Sequence, residues 1–246
     1  MNLQLNAALD PTALAATYQR RLRIQVPDFL EPASAERLHG WLHDLPWGLV
    51  YNEGAGVVQL DQRAVAQLQP RDAALIMEGI RQRARAGYQF LYAYYPLLNA
   101  YFAPDAPRLP IFEAFELMNS EPVLRLVRQM TGLPNIRWAD GQATWFKPGH
   151  FLKSHTDQAD TEGRLAAYVL NMSPDWDLDG GGFLQFFDES KNIEQAFRPV
   201  FNTLNLFTIP QLHSVSMVST FMTVRRMAIT GWFRSDTPPG PIPFPR

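Results

Sequence analysis

The sequence predicts an α+β fold, and three observations carry the prediction. The stretch 71–87, RDAALIMEGIRQRARAG, spaces its apolar residues as a helix with one buried face does, with arginines elsewhere. Beyond Ile136 that spacing gives way to short apolar runs separated by Gly, Pro, Asn and Asp, which reads as strands and turns. Strand-like segments also occur between residues 22 and 60, so the N-terminal half is expected to add strands to the same sheet. The chain is therefore read as one domain over 1–246: a helix-rich part over about 1–135, a strand-rich core over about 136–235 and a proline-rich tail over 236–246.

Taken in order, Asp10-Pro11 has the form of an N-cap followed by proline at the first helical position, and a helix is expected to about Arg20. LRIQVPDFL reads as a strand with Leu22, Ile24 and Val26 alternating. Pro32 and Ser34 open a second helix with Leu38, Trp41, Leu42 and Leu45 at helical spacing. WGLVYNEGAGVVQLD reads as two strands about a glycine-rich turn. The helix over 71–87 follows, with Leu75, Ile76 and Ile80 on one side. In the aromatic run over 88–102 the mixed spacing favours core packing over a peptide groove. Asn119 or Ser120 caps a further helix, EPVLRLVRQMTG, which Gly132 and Pro134 end. The tail TPPGPIPFPR is expected to be extended, and the sequence contains no internal repeat.

A chain of 246 residues with 46% hydrophobic content can bury one sizeable core. A net charge of −2 without a basic block gives nucleic-acid binding no electrostatic support. The absence of cysteine removes disulfides, thiolate metal sites and cysteine nucleophiles. The first residues lack a basic stretch followed by an apolar core, so no signal peptide is expected. No apolar run approaches the ~20 residues of a membrane span. The expected location is cytoplasmic, with neither nucleic acid nor membrane as a partner.

The segment WFKPGHFLKSHTD holds His155 and Asp157, two residues apart, so that on a strand both face the same way with Thr156 turned aside. A second imidazole from a distant strand would complete a two-histidine, one-carboxylate metal site with three positions open. His213, between the apolar runs LFTIP and VSMV, suits that role. A 2-oxo acid chelating such a metal needs a cation for its far carboxylate. Arg226 opens RMAITGWFR, where alternation puts Arg226, Ala228, Thr230 and Trp232 on one face. A guanidinium grips a carboxylate through two parallel hydrogen bonds, and Thr230 adds a hydroxyl. Arg225 points the other way, is expected to be solvated, and is the competitor for the carboxylate.

These motifs, in this order, resemble the 2-oxoglutarate and Fe(II)-dependent dioxygenases in their prolyl-hydroxylase-like branch. The resemblance runs over about residues 140–235. It rests on Trp145, Pro148-Gly149, Leu152, His155-Thr-Asp157, Arg164, AAYVLN ending at Asn171, PDWDLDGGG, FLQFF, His213 and Arg226-MAITGW. The GWFR ending is most similar to the subgroup that hydroxylates a prolyl residue of a ribosomal protein. The resemblance implies a double-stranded β-helix, or jelly roll, with helices packed on one sheet. It implies Fe(II) held by His155, Asp157 and His213, 2-oxoglutarate on Arg226 and Thr230, O2 as oxidant, and ascorbate as an optional accessory. The implied activity is hydroxylation of a C–H bond in a protein or peptide, with a free amino acid or small metabolite as the second reading. A non-catalytic ligand-binding jelly roll is the third. The chain departs from the family at Trp145, where Tyr is common, and Tyr168 is a tyrosine whose facing the strand pattern leaves open.

The remaining candidates have ordinary readings. His39 and His43 are four apart on a helix, but no third ligand is spaced to join them. His150 reads as a loop residue beside the metal strand. Gly180–Gly182 lack the Lys-Ser/Thr of a phosphate loop, and Asp179-Gly180 reads as a turn.

Overall fold

The structure is a computed structural model that describes residues 3–104, 107–157 and 163–242. The N-terminal elements are α1 (Pro11–Tyr18), β1 (Arg23–Val26), α2 (Pro32–His43), β2 (Gly48–Glu53), β3 (Gly56–Leu60), α3 (Gln62–Gln67), α4 (Pro70–Ala86), β4 (Phe90–Tyr95), α5 (Leu97–Phe102), α6 (Phe112–Met118) and α7 (Glu121–Thr131). The strand-rich part follows with β5 (Trp138–Ala139), β6 (Gln142–Phe146), β7 (Phe151–His155), β8 (Arg164–Asn171), β9 (Leu184–Phe187), β10 (Ile193–Phe197), β11 (Thr203–Thr208), β12 (His213–Val215) and β13 (Arg226–Arg234).

Local chemistry accounts for several boundaries. The Asp10 carboxylate accepts the amides of Thr12 and Ala13, and Pro11 fills the first position of α1, where its missing N–H costs nothing. Gly132 ends α7 at φ +71°, the left-handed conformation that glycine adopts without strain.

All the strand pairings are antiparallel, in the order β1-β11-β8-β13-β6-β4-β7-β12-β9-β10, with the β2–β3 hairpin attached through β4. Strand β4 joins two groups: Ala93–Tyr95 pair with β6, and Phe90 and Leu91 pair with β7. The sheet curls into a nearly closed barrel, with β11-β8-β13-β6 as one wall and β7-β12-β9-β10 as the other. This is the double-stranded β-helix that the resemblance implied.

Alternation sets what each wall faces. On β8, Ala166, Tyr168 and Leu170 join the main core, while Ala167 packs inside the barrel. On β13, Met227, Ile229 and Phe233 take the outer side. Against that outer face lie Leu38 and Leu42 of α2, Phe115 of α6 and Val127 of α7, all fully buried. Truncating a side chain such as Phe115 to alanine costs about 3–5 kcal/mol. Helices thus cover one wall, and the barrel interior is left for a site.

Two expectations need correction, and two stretches are resolved further. Leu22 is 43% exposed at φ +54° and precedes β1 rather than packing with Ile24 and Val26. Leu75 is 62% exposed; Ile76, Met77 and Ile80 form the packed side of α4. Residues 62–67 form α3, a short helix capped by Asp61 that the sequence reading did not separate. The aromatic run divides at Pro96 into β4 and α5, so its first half is sheet. Of the proline-rich tail, residues 243–246 lie outside the described residues, and 236–242 have no regular structure. Among the described residues, no helix is long and apolar enough to cross a membrane.

Candidate metal and ligand site

Strand β7 ends at His155 and β12 begins at His213, and the two residues are direct register partners. Their ring centroids are 4.2 Å apart. Asp157 does not share the strand, contrary to the expectation. It lies two residues beyond the end of β7, at φ +59°. A left-handed residue turns the chain back, and aspartate tolerates that conformation better than most side chains. The turn brings Asp157 Oδ1 to 3.0 Å from His155 Nε2 and Oδ2 to 3.4 Å from His213 Nε2.

Each histidine is held from behind by a backbone carbonyl. His155 Nδ1 lies 2.9 Å from the Lys153 oxygen, and His213 Nδ1 lies 2.8 Å from the Gln211 oxygen. A carbonyl only accepts, so each neutral ring carries its proton on Nδ1 and turns the Nε2 lone pair toward Asp157. Burial, with His155 alongside, pushes the His213 pKa down to about 4, so the ring is neutral at pH 7. Burial works against the Asp157 charge, but its polar surroundings, the His155 and His213 rings and the Trp232 N–H, hold it below the ordinary carboxylate range. Two lone pairs facing an anionic carboxylate repel unless a cation lies among them. The three donor atoms lie within 4.8 Å of one another, and two imidazole nitrogens with one carboxylate oxygen suit Fe(II).

Arg226, the first residue of β13, is 2% exposed. Its Nε donates to the Gly182 carbonyl at 2.6 Å, and its Cζ stands 4.6 Å from the Phe146 ring centre. No carboxylate pairs with it among the described residues. Burial alone pushes its pKa down to about 9, which still leaves it charged at pH 7. A buried cation without a counter-charge is costly, and an anionic ligand relieves the cost. Arg226, Thr230, Trp232 and the His155–Asp157–His213 group all line one cavity of about 150 Å³.

The sequence pattern of the 2OG-Fe(II) oxygenase superfamily matches residues 141–234, a span that contains all six of these side chains. The match takes in the strand-rich part of the chain, from β6 to β13. Fe(II), 2-oxoglutarate and O2 are the cofactors that this superfamily implies, and the donor set and the unpaired Arg226 fit the first two. Within the chain, 89 residues are 36% identical to mouse (Mus musculus) prolyl 3-hydroxylase OGFOD1, covering 33% of this chain and 16% of that relative's length. A Pseudomonas putida prolyl-4-hydroxylase superposes with a TM-score of 0.59 at 16% identity, over 93% of this chain and 100% of that one. A Trichoplax adhaerens prolyl hydroxylase, solved with a hypoxia inducible factor peptide, superposes with a TM-score of 0.58 at 14% identity, over 91% and 88%. At these identities the structural matches establish a shared fold.

The fold surrounds the donor set with residues that the sequence pattern did not single out. Trp232 Nε1 donates to Asp157 Oδ2 at 3.1 Å. Trp232 is itself fixed by Asp140, whose Oδ1 accepts the Trp232 amide at 2.7 Å while Oδ2 pairs with Arg234 at 3.1 Å. The Arg164 guanidinium lies 3.7 Å over the Trp232 ring. Nothing in the sequence around Asp140 signals this role; it reads as a turn residue. Tyr88 sits 5.5 Å from the His155 ring, and Tyr92 stacks on Phe146 at 5.0 Å. Their period-two placement with Phe90 in YQFLYAYY was the available signal for a strand with one face on the site.

The other candidates fall away from the cavity. Arg225 is half-buried rather than solvated, with its guanidinium 4.6 Å over Trp145, and Trp145 packs against Trp47 on the helix-covered side. Tyr168 borders the cavity, but its hydroxyl donates to the Asp140 carbonyl at 2.7 Å. His39 and His43 approach to 3.3 Å between Nε2 atoms, but no third metal ligand joins them among the described residues. His150 is a buried loop residue, 8% exposed, with an unpartnered Nδ1 and no place in the cavity lining. Gly182, read as part of a turn, sits at φ +65°, where a Cβ would fall 2.7 Å from Arg226 Cδ. That close approach explains the glycine.

Proposed function

We propose that this chain is a 2-oxoglutarate- and Fe(II)-dependent dioxygenase that hydroxylates a prolyl residue of a protein substrate. The observation that carries the reading is a buried, unpaired Arg226 opening into the same cavity as a His155–Asp157–His213 donor set. Bound iron and 2-oxoglutarate supply the oxidising power for a C–H bond. The chain's own residues do the rest. Nδ1–carbonyl bonds hold the two imidazoles in one tautomer, and Trp232 steadies the carboxylate of Asp157. Arg226, with Thr230 on the same face, takes the distal carboxylate of the co-substrate. Phe146, Leu184, Phe207 and Val215 wall the cavity and exclude water.

The peptide reading is favoured over a free amino acid by the mouth of the cavity. A groove of about 370 Å³ shares Phe90, Tyr92, Gln142, Thr230 and Trp232 with the inner cavity and continues between the β2–β3 hairpin and Pro96. An enclosed pocket for a small metabolite needs no such extension. The prolyl hydroxylases among the relatives support proline as the target residue.

The test is to incubate the chain with Fe(II), 2-oxoglutarate, O2 and a library of proline-containing peptides, and to follow peptide mass and succinate together. The reading expects one oxygen atom gained per succinate formed on a peptide, with proline as the modified residue. Succinate stimulated only by free amino acids, with peptides inert, would replace the substrate class.

A further inference from the structure

Phe90, Tyr92, Gln142, Thr230 and Trp232 line both the inner cavity and the groove that leads out of it. They mark the place where a substrate lying along the groove meets the metal-binding residues. Strand register fixes their height in the barrel. On the inward faces of β6 and β13, Phe146 pairs with Arg226, Thr144 with Ala228 and Gln142 with Thr230. Gln142 is therefore four residues, ~13 Å along a strand, from the Arg226 end of the cavity. It lies instead at the end where Trp232, the next inward residue of β13 after Thr230, donates to Asp157.

Two polar side chains at this height are uncommitted. Thr230 serves the co-substrate in the function proposed above, and the Trp232 N–H is spent on Asp157. Tyr92 and Gln142 remain. Gln142 Nε2 donates to the Tyr92 hydroxyl at 3.4 Å, a long bond that uses one amide N–H. It leaves the phenol O–H and Gln142 Oε1 without a partner among the described residues. Both side chains are half-buried and face the passage, and Gln142 Oε1 is not sealed in the wall. Tyr92 is held by stacking on Phe146 at 5.0 Å. The wall thus presents one donor and one acceptor side by side. An extended residue offers the complement, because its own N–H and C=O point the same way, as in an antiparallel pair. A prolyl residue has no N–H, so the residue that fits is a neighbour of the proline.

We infer that Tyr92 and Gln142 read the backbone of a residue flanking the target proline, the phenol donating to its carbonyl and Gln142 Oε1 accepting its N–H. The inference rests on the peptide reading of the function. It makes the pair a sequence filter as well as a clamp: a second proline at that flanking position has no N–H to offer and is refused.

The experiment takes a peptide that the library screen shows to be hydroxylated, with two ester counterparts. In one the amide that carries the N–H of the preceding residue becomes an ester, and in the other the amide that carries the N–H of the following residue does. Affinity for the chain loaded with Fe(II) and 2-oxoglutarate is read by calorimetry without O2. One of the two esters should bind about tenfold or more weakly than the parent peptide. Gln142→Leu should weaken the parent peptide by a similar factor and be indifferent to that ester, since both changes remove the same bond. Tyr92→Phe should weaken the peptide several-fold and leave the 2-oxoglutarate Kd unchanged. The ester comparison uses the unaltered chain, so it decides the matter even where a variant fails to fold. Equal binding of both esters, or a Tyr92→Phe loss that falls on 2-oxoglutarate rather than on the peptide, overturns the inference and leaves the peptide reading standing. A chain that hydroxylates no peptide overturns both.

Discussion

Replacing Arg226 by methionine should move two measurements in opposite directions. In the ligand-free chain the guanidinium is 2% exposed and faces no carboxylate, and burial pushes its pKa down to about 9. At about 1.4 kcal/mol per tenfold, a depression of that size is a folding penalty of several kcal/mol. The sign follows from the direction: the folded pKa lies below the unfolded one, so the penalty is fully present at neutral pH and is relieved only as pH rises through about 9. Arg226→Met removes the penalty and leaves the Gly182 carbonyl without its donor, a loss of about 1–3 kcal/mol. The net effect on the stability of the ligand-free chain is therefore near zero or stabilising by up to about 2 kcal/mol, read from the denaturant midpoint. Binding of 2-oxoglutarate loses charge-assisted hydrogen bonds worth about 1.5–3 kcal/mol each, so its Kd should rise by at least about 100-fold in calorimetry under anaerobic Fe(II). Metal affinity should stay close to that of the parent chain. A variant destabilised by more than about 3 kcal/mol would mean that the guanidinium is paired in the ligand-free protein. A change in 2-oxoglutarate affinity below tenfold would remove Arg226 from the co-substrate site.

Three further substitutions probe the surroundings of the site. Trp232→Phe keeps the ring and deletes the N–H that Asp157 Oδ2 accepts, so metal affinity should fall by about 10–100-fold with little loss of stability; unchanged affinity would make the bond incidental. Gly182→Ala places a methyl at φ +65° against Arg226 Cδ and should cost about 1–3 kcal/mol while raising the 2-oxoglutarate KM; a stable variant with an unchanged KM would contradict the close approach. Burial, with Lys147 nearby, pushes the His150 pKa from 6.5 down to about 4, so the unfolded chain binds the proton more readily and stability falls as pH drops through that window. His150→Leu should flatten the slope between pH 6.5 and 4 by up to about 3 kcal/mol, and an unaltered slope would place the titration elsewhere.

What the sequence revealed and what it hid follow from the range of the interactions. Short-range signals were legible. Asp10-Pro11 caps α1, Gly132 ends α7, and the period of RMAITGWFR puts Arg226, Thr230 and Trp232 on the cavity side. His213 was readable as the missing imidazole because its flanks are strand-like and no later histidine exists. The premise for Asp157 failed while its consequence held: the carboxylate meets His155 through a left-handed turn, and no residue pattern announces a positive φ at an aspartate. Asp140 was invisible because its role is set by register, which places it beside the Trp232 amide and the Arg234 guanidinium. Tyr88 and Tyr92 were misjudged because an aromatic run satisfies helix and strand periods alike; Pro96, which divides it, decides the matter only when read as a boundary. Leu75 shows the converse error, an apolar residue on a helix that the fold leaves in solvent.

Succinate release is the most direct measurement of the central claim that His155, Asp157, His213 and Arg226 build one oxygenase centre. The chain, supplied with Fe(II), O2 and 2-oxoglutarate, is predicted to form succinate in an oxygen-dependent reaction that Asp157→Ala abolishes and that Arg226→Met shifts to far higher co-substrate concentrations. Succinate formed equally well by Asp157→Ala, or none formed by an iron-loaded chain in the presence of its peptide substrate, would contradict it.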